Sequence, residues 1–349
     1  MSESNGRLAA VQAYYGKFLH GAGDLRTDAC RCTEALPPAH RAILANIDAE
    51  IIERFYGCGS PIPAALAGCT VLDLGCGSGR DVYLVSALVG EAGRVIGVDM
   101  TEEQIAIARR HRETQARRFG FLASNVDFRH GYIEDLAALD IADNSIDVVI
   151  SNCVINLSPQ KERVFAEIFR VLKPGGELYF SDVFASRRMP TALRDDPLLY
   201  RECLGGALYL EDFRRLMRGI GWPDYRVMTQ SRIAIGNPEA ELKVGTTVFW
   251  SMKIRAFKLA ALEDLCEDYG QVATYLGTLA DHPQQFPFDD HHTFVTGKPM
   301  LVCGNTAAML GETRFAEHFR VLGDRSTHFG AFDCSTPAAD SSAYGGGCC

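Results

Sequence analysis

The sequence predicts an α/β protein built on a doubly wound, mostly parallel sheet, followed by a smaller β-containing C-terminal module. Three observations carry this expectation. Short apolar strands alternate with helices from Thr70 to about Val183, a glycine-rich loop closes the first strand, and the texture changes beyond about Ile233. Repeated strand–helix units of this length imply parallel strands joined by crossover helices. The 349 residues allow one large domain and a smaller one. We divide them into an N-terminal cysteine-bearing arm at 1–45, a sheet domain at 46–232, the smaller module at 233–335 and a flexible Cys-Cys tail at 336–349.

Along the chain, Val11 to His20 reads as helical and Leu25 to Pro38 as a loop carrying Cys30 and Cys32. Ala39 to Phe55 reads as one helix, because Ile43, Ile47, Ile51 and Phe55 recur four apart. Gly57 and Gly59 stop it. Val71 to Leu74 is the first strand, Asp81 to Val89 a helix, and Arg94 to Asp99 the second strand. A charged amphipathic helix spans Glu102 to Arg118, and strands follow at Val126 to Gly131 and Ile146 to Ser151. Ser158-Pro159 predicts a helix start, with a cap residue and a proline at the first helical position. Lys173-Pro-Gly-Gly176 turns into a fifth strand, Glu177 to Asp182. Farther on, Val244 to Phe257 alternates like a strand, and Thr293 to Cys303 reads as a strand pair around Gly297-Lys298-Pro299.

With 47% hydrophobic and 23% charged residues the composition is that of a soluble globular protein. A formal net charge of −9 gives no footprint for a nucleic-acid partner. The run Arg109, Arg110, Arg112, Arg117 and Arg118 has helical spacing and reads as a solvated face. No stretch is long and apolar enough for a bilayer, and the start does not resemble a signal peptide. A cytoplasmic location is expected, where thiols stay reduced unless redox chemistry is their task. The 12 cysteines are too sparse for a disulfide scaffold and need individual explanations.

The loop Asp73-Leu-Gly75-Cys-Gly77-Ser-Gly79 lets a ligand approach the backbone, since glycine has no side chain in the way. Asp99 lies 24 residues beyond Gly75, at the end of the next strand. An acid there can accept hydrogen bonds from both ribose hydroxyls. Together these point to a nucleoside ligand. The dinucleotide fingerprint is G-x-G-x-x-G/A, whereas here the third glycine comes one residue early. Cys153 lies just past the fourth strand, after Ser151 and Asn152. In an open α/β sheet that position is beside the reactive end of the cofactor.

The G-x-G-x-G loop preceded by Asp73, with the Lys-Pro-Gly-Gly turn, resembles the motifs of class I S-adenosylmethionine methyltransferases, whose sheet is Rossmann-like. The resemblance implies that Gly75, Gly77, Gly79, Asp73, Asp99 and Asn152 serve S-adenosyl-L-methionine. In His130-Gly-Tyr-Ile-Glu-Asp135, Ile133 would pack on adenine and Glu134 or Asp135 accept from its amine. Met100 would cover the other ring face.

Four cysteine motifs narrow the family. Leu25-Arg-Thr-Asp-Ala-Cys30, Tyr56-Gly-Cys58-Gly, Ser151-Asn-Cys153-Val-Ile-Asn-Leu157 and Glu202-Cys203-Leu-Gly-Gly-Ala207 together resemble the arsenite S-adenosylmethionine methyltransferases, from about Tyr14 to about Gly323. The resemblance implies methyl transfer to arsenite or a thiol-conjugated trivalent arsenical. Soft thiolates select such a centre, and Cys153, Cys203 and Cys58 are expected to bind arsenic. Cys30 and Cys58 would serve the redox side of the cycle, with an external thiol reductant such as glutathione or thioredoxin reopening the pair. Cys32 could substitute for Cys30.

Tyr56 reads either as a cation–π partner of the sulfonium or as a packed hinge residue. Glu202 reads either as an active proton acceptor or as a plain surface glutamate. Cys76 reads as structural. Cys69, Cys266, Cys303 and Cys334 lack matched partners. Cys348-Cys349 could capture arsenite or be a disposable tail, and Asp289-Asp-His-His292 reads as a solvated loop. Two other functions stay open: methylation of another small molecule, and a non-catalytic metalloid-binding thiol protein.

Overall fold

The structure, a computed structural model, describes residues 3–18, 27, 36–55, 57 and 59–334. Helix α1 spans Glu3–Ala13 and runs into a π-helical turn at Tyr14–Phe18. Two short helices follow, α2 (Pro38–Leu44) and α3 (Ala49–Glu53). Then come β1 (Thr70–Leu74), α4 (Arg80–Val89), β2 (Arg94–Asp99), α5 (Glu102–Arg110), α6 (Arg112–Arg118), β3 (Val126–His130) and β4 (Ile146–Asn152). The second half of the sheet is built from α7 (Lys161–Val171), β5 (Leu172–Ala185), α8 (Thr191–Arg194), α9 (Pro197–Arg201), β6 (Leu208–Tyr209), α10 (Leu210–Ile220), β7 (Arg226–Arg232), α11 (Pro238–Val244) and β8 (Phe249–Phe257). The strand order is β3-β2-β1-β4-β5-β8-β7, with β6 beside the end of β5. Strands β1 to β5 are parallel, and β8 runs antiparallel between β5 and β7.

Strands β1, β4 and β5 are buried on both faces and so read as near-continuous apolar runs. From β1 the chain winds outward through β2 and β3, then returns across β1 to β4. That reversal opens a crevice above the carboxyl ends of β1 and β4, where ligands bind in such sheets.

The structure departs from the sequence expectations at five places. The helix expected over Ala39 to Phe55 breaks, because the Asp48 carboxylate caps a new helix by accepting from Glu50 N at 3.2 Å. The helix expected over Glu102 to Arg118 is interrupted at His111. The helix expected at Ser158 starts at Lys161, since the Ser158 hydroxyl is used in a local turn, accepting from Gln160 N. Of Val244 to Phe257, the first residue ends α11, and β8, assigned in sequence to the smaller module, joins the main sheet. Finally, Thr293 to Cys303 holds two strands that do not pair with each other.

The module beyond β8 contains β9 (Glu267–Asp268), β10 (Gln271–Tyr275), β11 (Gln285–Pro287), β12 (Thr293–Val295), β13 (Pro299–Val302), α12 (Gly304–Gly311), β14 (Phe319–Leu322) and β15 (Gly330–Ala331). Here β10 pairs with β13 and β14, β11 with β12, and β9 with β15. Its core is aromatic, with Phe286, Phe288, Phe294, Phe315 and Phe319 packed around Phe257 and Tyr275. A buried ion network joins it to the sheet. Glu177 of β5 accepts from Arg255 of β8 at 2.6 Å and pairs with Arg314, while Arg255 donates to the oxygen of Phe288 at 2.7 Å.

Candidate active site

The crevice above β1 and β4 is a cleft of about 800 Å³, its open mouth included. Gly75, Gly77, Asp99, Met100, Ile133, Glu134, Asn152 and Cys153, all expected in sequence to serve the site, line it. Gly75 has φ 75°, and a Cβ there would meet Val154 at 2.2 Å. Gly77 also has positive φ, but nothing lies within 4 Å of an added Cβ, so its backbone faces open space. Gly79 serves packing instead, its Cβ position being 2.9 Å from the Phe128 ring. Asp73 is buried beneath the loop and does not line the cleft. Burial, followed by the charges of Asp81 and Asp99, pushes its carboxyl well above the usual range.

Asp99 accepts from Gly77 N at 2.9 Å and Thr101 N at 2.8 Å, fixing the glycine loop against the turn after β2. Burial raises its carboxyl despite these two donors. Glu134 is buried and accepts from the Ser158 hydroxyl at 2.5 Å. Asp135 points away and pairs with Arg163 at 3.2 Å, which leaves Glu134 as the acid on the cleft wall.

At the floor of the cleft the second half of the sheet meets the first. Asn152 donates to the oxygen of Gly59 at 2.7 Å, and a Cβ on Gly57 would sit 2.7 Å from the same amide nitrogen. The two glycines that flank Cys58 therefore lie against the end of β4. Cys153 follows with φ 57°, its N–H donating to Ser181 O at 2.8 Å. Cys203, after α9, also has positive φ, at 63°, and its thiol donates to Cys153 O at 3.2 Å. Both sit in an apolar cluster with Val11, Leu157, Leu199 and Leu204. Cys153 is in a disulfide, whereas Cys69, Cys76, Cys203, Cys266, Cys303 and Cys334 carry thiols. Cys30, Cys32, Tyr56, Cys58, Cys348 and Cys349, for which the sequence raised roles, lie outside the described residues.

Two family models match the chain: one described as a methyltransferase domain over residues 66–230, the other as an arsenite methyltransferase C-terminal domain over 269–342. An arsenite methyltransferase of Aquipseudomonas alcaligenes is 52% identical over 324 residues, 93% of each chain. This chain belongs to the arsenite methyltransferase family. The arsenite methyltransferase of Mus musculus is 45% identical over 313 residues, covering 88% of this chain and 82% of its own. The solved structure of CrArsM, an arsenic(III) S-adenosylmethionine methyltransferase from Chlamydomonas reinhardtii, superposes with a TM-score of 0.83. It is 52% identical, and the match covers 86% of this chain and all of CrArsM.

The cleft fits the family's methyl donor on its own features. An acid at the end of β2, an open backbone at Gly77 and the apolar side chain of Ile133 are what a ribose, a charged tail and an adenine need. Sequence reasoning missed part of the wall. Leu8, Val11 and Tyr15 from the N-terminal segment close one side of the cleft, with Gln104 of α5. Gln12 donates to Met100 O at 2.8 Å and Gln104 to Tyr15 O at 3.2 Å, tying that segment to the sheet. The sole signal was the apolar spacing of Leu8, Val11 and Tyr15, which names a buried face but not its partner.

Glu202 is neither a surface glutamate nor exposed to the cleft. It is buried and accepts from Tyr14 Oη at 2.7 Å and from the N–H and hydroxyl of Thr27 at 2.9 and 2.8 Å. Cys76 is buried against Gly97, in keeping with a structural thiol. The loop expected to be solvated at Asp289-Asp-His-His292 is half buried. His292 pairs with Asp289 at 2.7 Å, and Asp289 with Arg226 at 3.4 Å. Among the described residues no helix is long and apolar enough to cross a membrane.

Proposed function

We propose that this chain methylates arsenite, with Cys153 and Cys203, and Cys58 as the third ligand, holding trivalent arsenic as thiolates at the floor of the cleft. The observation that carries the reading is the contact of the Cys203 thiol with the main chain of Cys153, at a cleft wall that also carries Gly77, Asp99 and Glu134. Two cysteines 50 residues apart in sequence converge where the cofactor's reactive end belongs. S-adenosyl-L-methionine, when bound, supplies a sulfonium-activated methyl group.

Asp99 is suited to the ribose hydroxyls, and Glu134 and Ile133 to the adenine. Three thiolates leave the arsenic lone pair free to face the methyl. No general base is required, because the attacking atom carries no proton. Alignment of this kind supplies about 7–11 kcal/mol of a bimolecular barrier. The apolar residues around Cys153 and Cys203 exclude water from the thiolates.

Gaining a methyl cation raises arsenic formally from +3 to +5. Two thiols closing to a disulfide supply the two electrons that return it to +3, and an external thiol such as glutathione or thioredoxin reopens the pair. The disulfide at Cys153 supports thiol exchange at this position. We assign Cys30 and Cys58 to this relay, and the cytoplasm, where reductant is abundant, as the site of action.

Incubating the reduced protein with arsenite, S-adenosylmethionine and a thiol, then separating arsenicals by chromatography with mass detection, tests the reading. Methylarsenicals that form only with the methyl donor support it. Their absence, with both ligands bound, overturns it.

A further inference from the structure

Three cysteines that look unrelated in sequence meet in the C-terminal module. Cys266 precedes β9, Cys303 caps α12, and Cys334 follows β15. Their sulfurs all lie within 4.8 Å of one another. Strand pairing brings them together. β15 runs antiparallel to β9, and Phe332 N donates to Cys266 O at 2.8 Å, which draws Cys334 alongside Cys266. Cys303 arrives from β13, where Val302 pairs with Gln271 of β10.

The site between them is partly dry, and the cation beside it is itself paired: Arg226 lies 2.8 Å from Asp224 and 3.4 Å from Asp289. Cys303 is fully buried, and its sulfur lies 3.6 Å from Nη2 of Arg226. The same sulfur accepts from Thr306 N at 3.4 Å and contacts the Thr306 hydroxyl at 3.3 Å. Hydrogen bonds from Cys266 and Cys334, helped by the guanidinium, hold Cys303 well below the ordinary thiol range. Its bond to Cys303 pushes Cys266 up to about 11.

We propose that Cys266, Cys303 and Cys334 form a second arsenic site, separate from the cleft, that takes arsenite as a three-coordinate trithiolate. Three sulfur ligands select a soft, thiophilic ion. A structural zinc site has four protein ligands, and among the described residues no fourth His, Cys, Asp or Glu atom joins this group. Trivalent arsenic needs three ligands, because a lone pair occupies its fourth direction.

The exchange balances without redox chemistry. Three As–S bonds replace three As–O bonds, and each thiol proton leaves with a hydroxide as water. Bound arsenic ties β9, α12 and β15 together, so this module is stiffened by the substrate of the other site. The proposal stands on the three sulfurs of the module and not on the assignment of cleft ligands.

The test uses the full chain, reduced, with Cys153→Ser and Cys203→Ser removing two cleft thiols. Bound arsenic per chain is counted by mass spectrometry after gel filtration, with zinc counted in the same run. Cys303→Ser is the informative further change, because serine keeps the helix-cap acceptor that Cys303 gives Thr306 N. Cys334→Ser, at a half-buried position, is the second. We expect each to lower bound arsenic by one equivalent. We also expect arsenite to raise the melting temperature of the parent and not that of Cys303→Ser. Unchanged arsenic in both variants overturns the proposal, as does one zinc per chain that arsenite does not displace.

Discussion

The thiol of Cys203 donates to the main-chain oxygen of Cys153 across 3.2 Å, and both residues hold left-handed backbone, at φ 63° and 57°. Such conformations cost a non-glycine residue about 1–2 kcal/mol. Only three other described non-glycine residues share them, Ala65, Asp140 and Asn144, and two of these are of the short polar kind that tolerates the region. Strain retained at paired cysteines beside a ligand cleft is the pattern of a functional site.

Glycine at position 203 relieves that strain, while either glycine or alanine removes the thiol. We expect Cys203→Gly to equal or exceed Cys203→Ala in urea stability, against the usual deficit of about 0.5–1 kcal/mol for glycine. Both are expected to lose arsenite methylation by two orders of magnitude or more. A Cys203→Gly variant clearly less stable than Cys203→Ala would remove the strain argument.

Glu202 anchors the N-terminal segment through Tyr14 and Thr27. Hydrogen bonds to a charged group contribute about 1.5–3 kcal/mol. Glu202→Ala should therefore release a segment that walls the cofactor cleft. The expected readouts are faster proteolysis of the N-terminal segment that carries Tyr14 and at least tenfold weaker binding of S-adenosylmethionine by calorimetry. Unaltered affinity would mean that the segment does not contribute to the cleft.

Asp99 has a local task in holding Gly77 and Thr101, and a second one toward a ribose. Asp99→Asn retains a carbonyl acceptor for one of the two amides. Binding of the methyl donor should weaken about tenfold to a hundredfold, the equivalent of about 1.4–2.7 kcal/mol. Calorimetric affinity within a factor of two of the parent would contradict the assignment.

Asp182 lies behind the paired cysteines and accepts from the amides of Asn156 and Val183. Burial pushes its carboxyl up to about 7, against the pull of those amides and of Lys161. Between about pH 4 and 7 the folded chain thus keeps a proton that the unfolded chain has lost. Stability from this group is full below about pH 4 and falls as pH rises to about 7, by at most about 4 kcal/mol. Urea midpoints at pH 5 and pH 8 should differ more for the parent than for Asp182→Asn. Equal differences in the two proteins would refute this titration.

Much of the fold was legible in the sequence, because β1, β4 and β5 are buried strands with a two-faced apolar signature, β3 alternates, and glycines punctuate the units. The position of β8 was not legible. Its alternation is equally consistent with a separate module, and only its pairing to β5 and β7 decides the matter. The helix broken at Asp48 shows the same limit, since a side-chain cap overrides an unbroken apolar period.

At the site, the glycine loop, Asp99 and the two cysteines could be read from spacing and from the family's motifs. Glu202 could not be, because its partners lie 175 and 188 residues away in sequence. The triad of Cys266, Cys303 and Cys334 was invisible for the same reason. No short motif records a contact made by pairing β9 with β15.

The most direct measurement is arsenic X-ray absorption on the reduced chain loaded with arsenite, in a Cys303→Ser background that removes the second site. The account requires arsenic bound by sulfur alone, with sulfur giving way to oxygen when Cys203→Ser is added. An arsenic–sulfur shell unchanged by the loss of Cys203 would contradict it.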